Sequence, residues 1–577
     1  MASSLSDFQR ELRCVAERMD AGRAAVTIDR FLLTLALLWA ALAVYPEGSE
    51  PIKVAGVATT AALLALRIRF PLACLPRTAL LACSLVAMLA AACSLEPAVA
   101  VVGSLARAQG ALIALALAVL AWAASALGPI DRPALYRQAA ILGGLLATYA
   151  LLQRVGIDVV RWANEVPGRP AATLSNASSL AGWLVLLLPM SASVALTAGA
   201  RRPFWLILIG LQLAALLAAG SRSALLALIV VSAAMWLLQE PGRRRLAVPG
   251  VLLGLGLAAA LAAWRPASLQ DRLHLWHSAA QALTSSTPLV DLYGHPDPMP
   301  ALRPWLGFGP DQQQAPLAAA RSSVAGRVDA SGWQADRAHQ WLLDQALETG
   351  LAGILSGLLL LLVVGRSLWR SVHTADADVR REAVCLAIAL GAWLLHLQAS
   401  FALTGDRTLA WVWIGLALGL GGRGEHAQSE DVPAPRTGLV LRIGLAGLLL
   451  TGALAAGGLL PSAALQHLAP AWVAERQFVD GQQRYARALA AEPADAAREM
   501  QASAQAFERA LALRRFDRDA ALAAASAWVE AAANGAGLAA LQRSQLWLDR
   551  LQAIGTEERS LAPLRARIAV VGRAIGQ

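Results

Sequence analysis

The chain is dominated by a succession of apolar runs, each approaching the roughly 20 residues that a helix needs to cross the hydrocarbon core of a membrane. They stand at 28–45, 52–66, 78–94, 109–127, 138–153, 180–198, 203–219, 223–239, 247–264, 349–365, 384–402, 409–422 and 438–460. Inside a bilayer every backbone N–H and C=O must be satisfied within the chain, so only helices and closed barrels span it. These runs are continuous Leu, Ala, Val and Ile rather than alternating, which reads as helix and not as barrel strand. The expectation is an all-α, polytopic membrane protein with about thirteen transmembrane helices. Composition agrees: 57% hydrophobic and 15% charged residues, with a mean hydropathy of +0.52, are too apolar for a soluble chain of this length.

Charge placement orients the spans, because cytoplasmic loops collect Arg and Lys. Basic residues gather in alternate loops: Arg23 and Arg30, Arg67 and Arg69, Arg132 and Arg137, Arg201 and Arg202, Arg243 to Arg245, Arg366 to Arg381, and Arg423 to Arg436. With a cytoplasmic start and an odd number of spans, the one long polar interruption and the end of the chain both emerge on the outer side, in a bacterium the periplasm of the inner membrane. The formal charge of +10 is dispersed among loops rather than massed on one face, which argues against nucleic-acid binding. The segment 1–30 is polar and amphipathic and has no cleavable signal pattern, so it reads as cytoplasmic, with the first span a retained anchor. None of the five cysteines lies in the outer loop or tail, so neither a disulfide framework nor a zinc site is expected. Lys53 is the sole lysine, a usage that fits a GC-rich genome.

This gives three regions: 1–30; a membrane domain over 31–460 that includes an outer loop at 265–348; and an outer helical domain at 461–577. In the last, YARALAAEPADAA from Tyr485 and FERALALRRFDRDAA from Phe507 resemble each other and the second helix of a tetratricopeptide unit. Their spacing is shorter than the usual period of about 34 residues, so the TPR-like pattern is degenerate.

The outer loop is where chemistry is expected. It carries four of the eight histidines, His274, His277, His295 and His339, and the motif WLGFGPD from Trp305. Three more segments share its side of the membrane: GRPAATLSNASSLAG from Gly168, SRSA from Ser221 and DRLHLWHSA from Asp271. Arginine suits a phosphate or diphosphate because its planar fork donates two parallel hydrogen bonds and stays charged. Arg169, Arg222 and Arg272 are the candidates, although an arginine at a helix end also snorkels to lipid headgroups. His339, at the mouth of the tenth span, is the best placed residue to accept a proton from an attacking hydroxyl. His396, in the middle of the eleventh, reads as a helix-to-helix hydrogen-bonding residue. The GFG turn is expected to shape the loop, since a short glycine pattern away from a strand and helix is a weak phosphate signal. Trp276, Trp305, Trp333 and Trp341 are placed either to stack on sugar rings or to anchor the loop at headgroup level.

The order of SRSA, the Arg272 to Trp276 segment, PWLGFGPD and AHQWLLDQALETGLAG resembles the O-antigen ligase and O-antigen polymerase superfamily of bacterial membrane glycosyltransferases, over roughly residues 95–422. Ala338-His339 followed by Leu342, Glu348, Gly350, Leu351 and Gly353 is its most specific piece; Gln340 stands where the family commonly shows Asn. The resemblance implies a GT-C type fold and transfer of a glycan from undecaprenyl diphosphate to an acceptor hydroxyl at the periplasmic face, with no cofactor and no metal. It assigns Arg222 and Arg272, and more distantly Arg169, to the diphosphate and His339 to the acceptor hydroxyl. Three acceptors fit: lipid A core for a ligase, another lipid-linked glycan for an O-antigen or exopolysaccharide polymerase, and a protein hydroxyl for an O-oligosaccharyltransferase. A transporter is the competing class, but it would place ionisable residues near the bilayer midplane, whereas these arginines stand at helix ends.

Overall fold

The computed structural model of the chain describes residues 28–44, 50–67, 75–158, 160, 168–239, 266–320, 336–421, 436–554, 556 and 558–576. Most of the amino-terminal segment 1–30, the apolar run 247–264, Trp333 and the basic groups Arg243 to Arg245 and Arg423 to Pro435 lie outside these residues.

Every other apolar run coincides with a helix. In chain order the helices are α1 (28–42), α2 (Glu50–Ala65), α3 (Leu75–Ala92), α4 (Pro97–Val102), α5 (Ala111–Ser125), α6 (Asp131–Arg154), α7 (Ala177–Thr197), α8 (Arg202–Ala218), α9 (Arg222–Gln239) and α10 (Pro266–Thr284). Then follow α11 (Gln314–Ala319), α12 (Trp341–Val372), α13 (Ala377–His396), α14 (Thr404–Gly421), α15 (Arg436–Ala456), α16 (Ser462–Leu468), α17 (Pro470–Leu489), α18 (Pro493–Leu513), α19 (Arg518–Ala531), α20 (Gly537–Ala553) and α21 (Glu558–Ile575). Among the described residues there is no strand, only an isolated antiparallel bridge between Val290 and Pro296. Seven of the described helices are long and apolar enough to cross a membrane: α6, α7, α8, α9, α12, α13 and α15. The apolar stretches of α3 and α5, Thr78–Ala92 and Ala111–Ser125, are shorter.

The chain divides into two compact units. The first draws on residues 1–82, 113–258 and 358–453. Apolar side chains gain little by meeting each other in lipid, so small residues and buried polar groups set helix contacts here. Gly415 and Gly419 lie one turn apart on α14, and a Cβ at these positions would stand 2.1 Å from the Ala121 carbonyl oxygen and 2.4 Å from that of Ser125 on α5. Only the missing side chain lets the two backbones approach. Helix α13 packs on α7 and α9, and a buried ion pair joins it to α6, Arg132 Nε to Glu382 at 3.0 Å.

The second unit comprises residues 83–112, 259–357 and 454–577. Helices α17 to α21 pack successively on one another around an Ala-rich core that includes Phe507, Leu511, Trp528, Trp547 and Leu548. The two similar sequences at Tyr485 and Phe507 each cover the end of one helix and the start of the next, α17 into α18 and α18 into α19. Their spacing is therefore one helix plus its turn, not the helix pair of a tetratricopeptide unit. Leu292 and Tyr293, from the polar interruption, join this core. Leu292 is 1% exposed among the side chains of that core, and its N–H donates to the Arg515 carbonyl at 3.1 Å. Tyr293 meets Trp547 edge to face at 5.8 Å, and Arg550 lies over the Tyr293 ring at 5.0 Å.

Candidate active site

The polar interruption is more helical than its composition implies. It opens with α10, and its last residues already belong to α12, whose first turns run from Trp341 to Thr349 before the backbone breaks at Gly350 (φ 62°, ψ −160°). Gly307, in WLGFG, adopts nearly the same conformation (φ 67°, ψ −165°). That region of backbone space is essentially closed to side-chain-bearing residues. The two glycines meet: a Cβ on Gly350 would fall 2.4 Å from the Trp305 carbonyl carbon, and one on Gly307 would fall 2.5 Å from that of Glu348. Phe308 N–H donates to Leu347 O at 2.7 Å and Gly309 N–H to Glu348 O at 3.1 Å, so the WLGFG turn caps the first part of α12. Arg303 fixes the turn in its place. It pairs with Asp297 through two nitrogens at 2.7 and 2.5 Å and donates to the carbonyls of Cys93 and Gly307. The glycines thus shape the loop, as the sequence implied. Gly350→Ala is expected to destabilise the protein by about 3 kcal/mol or more, from strain and overlap together; thermal unfolding in detergent at an unchanged midpoint would count against this packing.

His339 stands just before α12, whose start is capped by Gln340: its Oε1 accepts from Leu343 N–H at 2.7 Å. Gln340 therefore has a capping function. The approach to His339 is held from several sides. Arg337 is 5% exposed and pairs with Asp311 at 3.3 Å and Glu348 at 3.4 Å. Gln313 donates to Glu348 at 2.9 Å and accepts from Ala338 N–H at 3.2 Å, an N–H that also reaches Asp344 at 2.9 Å. From α10, Trp276 Nε1 donates to the Ala338 carbonyl at 3.0 Å. His339 itself is half-buried and left-handed, with φ 55°, a conformation that persists in a non-glycine residue only where its surroundings impose it.

The charges around the imidazole set its state. Burial lowers the His339 pKa to about 4; Asp336 opposes this, while Arg107, Arg272 and Arg337 add to it. The ring is therefore neutral at neutral pH, with one nitrogen able to accept a proton. Burial also lowers the pKa of Arg272, which places a partly desolvated guanidinium near that ring. Asp336 is the counterweight: burial opposes its ionisation, but Arg107 and then Arg337 hold its carboxyl below the usual range.

Arg169 and Arg222 belong to the first unit and are exposed. Arg169 Nε donates to the Ala219 carbonyl at 3.1 Å, in the turn that leads into Arg222 at the start of α9. The following Ser223 hydroxyl lies 2.9 Å from His396 Nδ1, and His396 Nε2 is 3.3 Å from the Ser178 carbonyl. His396 is thus the interhelical residue expected. Lys53, which the sequence left without a function, is fully buried and ties the TLSN segment in place. Its ammonium donates to Thr173 O at 2.7 Å and Glu50 at 3.2 Å, and Glu50 in turn accepts from Thr404 N–H at 3.0 Å. Of the loop tryptophans, Trp276 is committed to Ala338, whereas Trp305 is 58% exposed.

Seven long apolar helices among the described residues define a multi-pass membrane protein. Residues 206–358 match the family model described as O-antigen ligase, which supports the resemblance to the O-antigen ligase and polymerase superfamily. The match spans Arg222, Arg272, WLGFGPD and His339; Arg107, Arg169 and the helices after α15 lie outside it. No curated protein matches the chain.

Proposed function

We propose that the protein transfers a glycan from undecaprenyl diphosphate to an acceptor hydroxyl at the periplasmic face of a bacterial inner membrane, as an O-antigen ligase acting on lipid A core. The observation that carries this reading is the neutral imidazole of His339 near the Arg272 guanidinium, within a segment matched by the O-antigen ligase family. The acceptor hydroxyl oxygen attacks the anomeric carbon, and its proton passes to His339. The bond from that carbon to the diphosphate oxygen breaks, and the electron pair leaves with undecaprenyl diphosphate. Arg272 offsets the developing charge, with Arg222 and Arg169 as the further arginines assigned to the donor. In this reading no metal is needed for the leaving group. The topology is that of thirteen spans in a GT-C type arrangement, with the outer loop and the helical domain at residues 461–577 in the periplasm.

Purified protein, undecaprenyl-diphosphate glycan and lipid A core, with chelator present, test the reading directly. Release of undecaprenyl diphosphate coupled to a glycosylated core supports it. Chain growth without core would assign a polymerase, transfer to a polypeptide would assign an O-oligosaccharyltransferase, and an intact donor would overturn the proposal. In the same assay Arg222→Lys and Arg272→Lys are each expected to reduce turnover by about 100-fold, the loss typical of removing one positioned donor to a developing charge. Lysine keeps the charge but loses the planar fork. Near-normal turnover in both variants would make these arginines membrane anchors.

A further inference from the structure

We infer that the turn at residues 103–109 is a working part of the site, in which Arg107 is a positioning residue that keeps Asp336 from pairing with His339. The inference rests on the reading of His339 as the base. Two charge contacts reach the four-residue run Asp336–His339 from this turn and its neighbour. Arg107 Nε donates to Asp336 Oδ2 at 2.5 Å, across 229 residues of sequence. Asp311 accepts from Ser104 N–H at 2.7 Å, the Ser104 hydroxyl at 2.9 Å and Gln109 N–H at 3.3 Å, and its second oxygen takes Arg337 at 3.3 Å. Consecutive residues of the run are therefore gripped by opposite charges, Asp336 by an arginine of the turn and Arg337 by the aspartate that organises the turn.

The backbone strain lies in the same network. Ala108, Asp311 and His339 are all left-handed, with φ of 50°, 59° and 55°. Such conformations gather where the surrounding structure over-determines them, which is characteristic of active sites. The Arg107 and Asp336 side chains are 13% and 35% exposed, so the pair is partly shielded from water and its charges act on their neighbours over short range. Asp336 favours the charged form of His339, against Arg107, Arg272 and Arg337. Occupied by Arg107, it leaves the imidazole neutral and able to take the acceptor's proton. Released, it would hold an imidazolium, which accepts none.

The test is the pH dependence of the saturated transfer rate, measured with undecaprenyl-diphosphate glycan and lipid A core for wild type, Arg107→Gln, Arg107→Lys, Asp336→Asn and His339→Ala, each with its thermal transition in detergent. Arg107→Gln should move the acid limb up by about one pH unit or more, because it removes a cation and frees an anion together, and should lower the rate at neutral pH while leaving the donor KM within about twofold. Arg107→Lys should keep the limb near that of wild type. Asp336→Asn should move it the other way or leave it in place. A folded Arg107→Gln protein with the wild-type limb and rate overturns the inference, as does a limb that moves in the same direction in Arg107→Gln and Asp336→Asn. If Arg107→Gln does not fold, an Asp336→Asn limb that rises instead overturns it alone. Full activity of His339→Ala would instead remove the base on which the inference rests, whereas an inactive His339→Ala beside an unmoved Arg107→Gln limb rejects only the positioning function.

Discussion

His339→Asn should lower transfer by about 100- to 10,000-fold, the range spanned by a lost general base, while the protein folds and binds donor almost as before. Asparagine is the informative replacement because it enters the left-handed region readily and His339 occupies φ 55°. The backbone strain is thus preserved and only the proton acceptor is removed. The flanking residues have anchors of their own: Ala338 is held through its N–H and carbonyl by Gln313, Asp344 and Trp276, and Gln340 caps α12. Turnover near wild type would sink the assignment. An equal loss in His274→Ala, on the neighbouring α10, would move it to that residue.

Lys53→Met is expected to have the largest effect on stability of any single change away from the site. The ammonium is fully buried and its partner Glu50 is 2% exposed. Removing one member of a buried ion pair leaves an uncompensated charge and typically costs about 3–5 kcal/mol. The same change frees the Thr173 carbonyl and loosens the TLSN segment that precedes α7. Thermal unfolding in detergent should shift down accordingly. The double variant Lys53→Met, Glu50→Gln should recover part of the loss, since no bare carboxylate then remains. A double variant no more stable than Lys53→Met would show that packing, and not charge, holds this corner.

The helices were legible from the chain because lipid imposes one backbone solution on any apolar run: outside 247–264, each run carries a helix. His339 and the arginines could be chosen by chemistry and position, since residue type alone limits which side chains take a proton or grip a phosphate. Arg107, Asp311 and Asp336 could not. Each is an ordinary charged residue whose meaning comes from a partner far along the chain, as in the 207 residues between Ser104 and Asp311, and no local pattern marks it. Lys53 was left without a function for the same reason, its nearest acceptor being Thr173 at a separation of 120 residues. The entry into α12 at His339 was legible, but the partners that Asp344 and Glu348 find at Ala338, Gln313 and Arg337 were not.

Leu292 has a consequence for how such proteins can be rebuilt. Its side chain completes a core otherwise made by the carboxyl-terminal helices, and Tyr293 is pinned there by Trp547 and Arg550. The loop tip and the tail are therefore one cassette in two pieces of sequence. A chimera that exchanges residues 454–577 alone would leave a leucine-shaped hole in the incoming tail and a stranded apolar tip on the resident loop. Tails of different origin can be traded between such chains only if residues 289–297 travel with them.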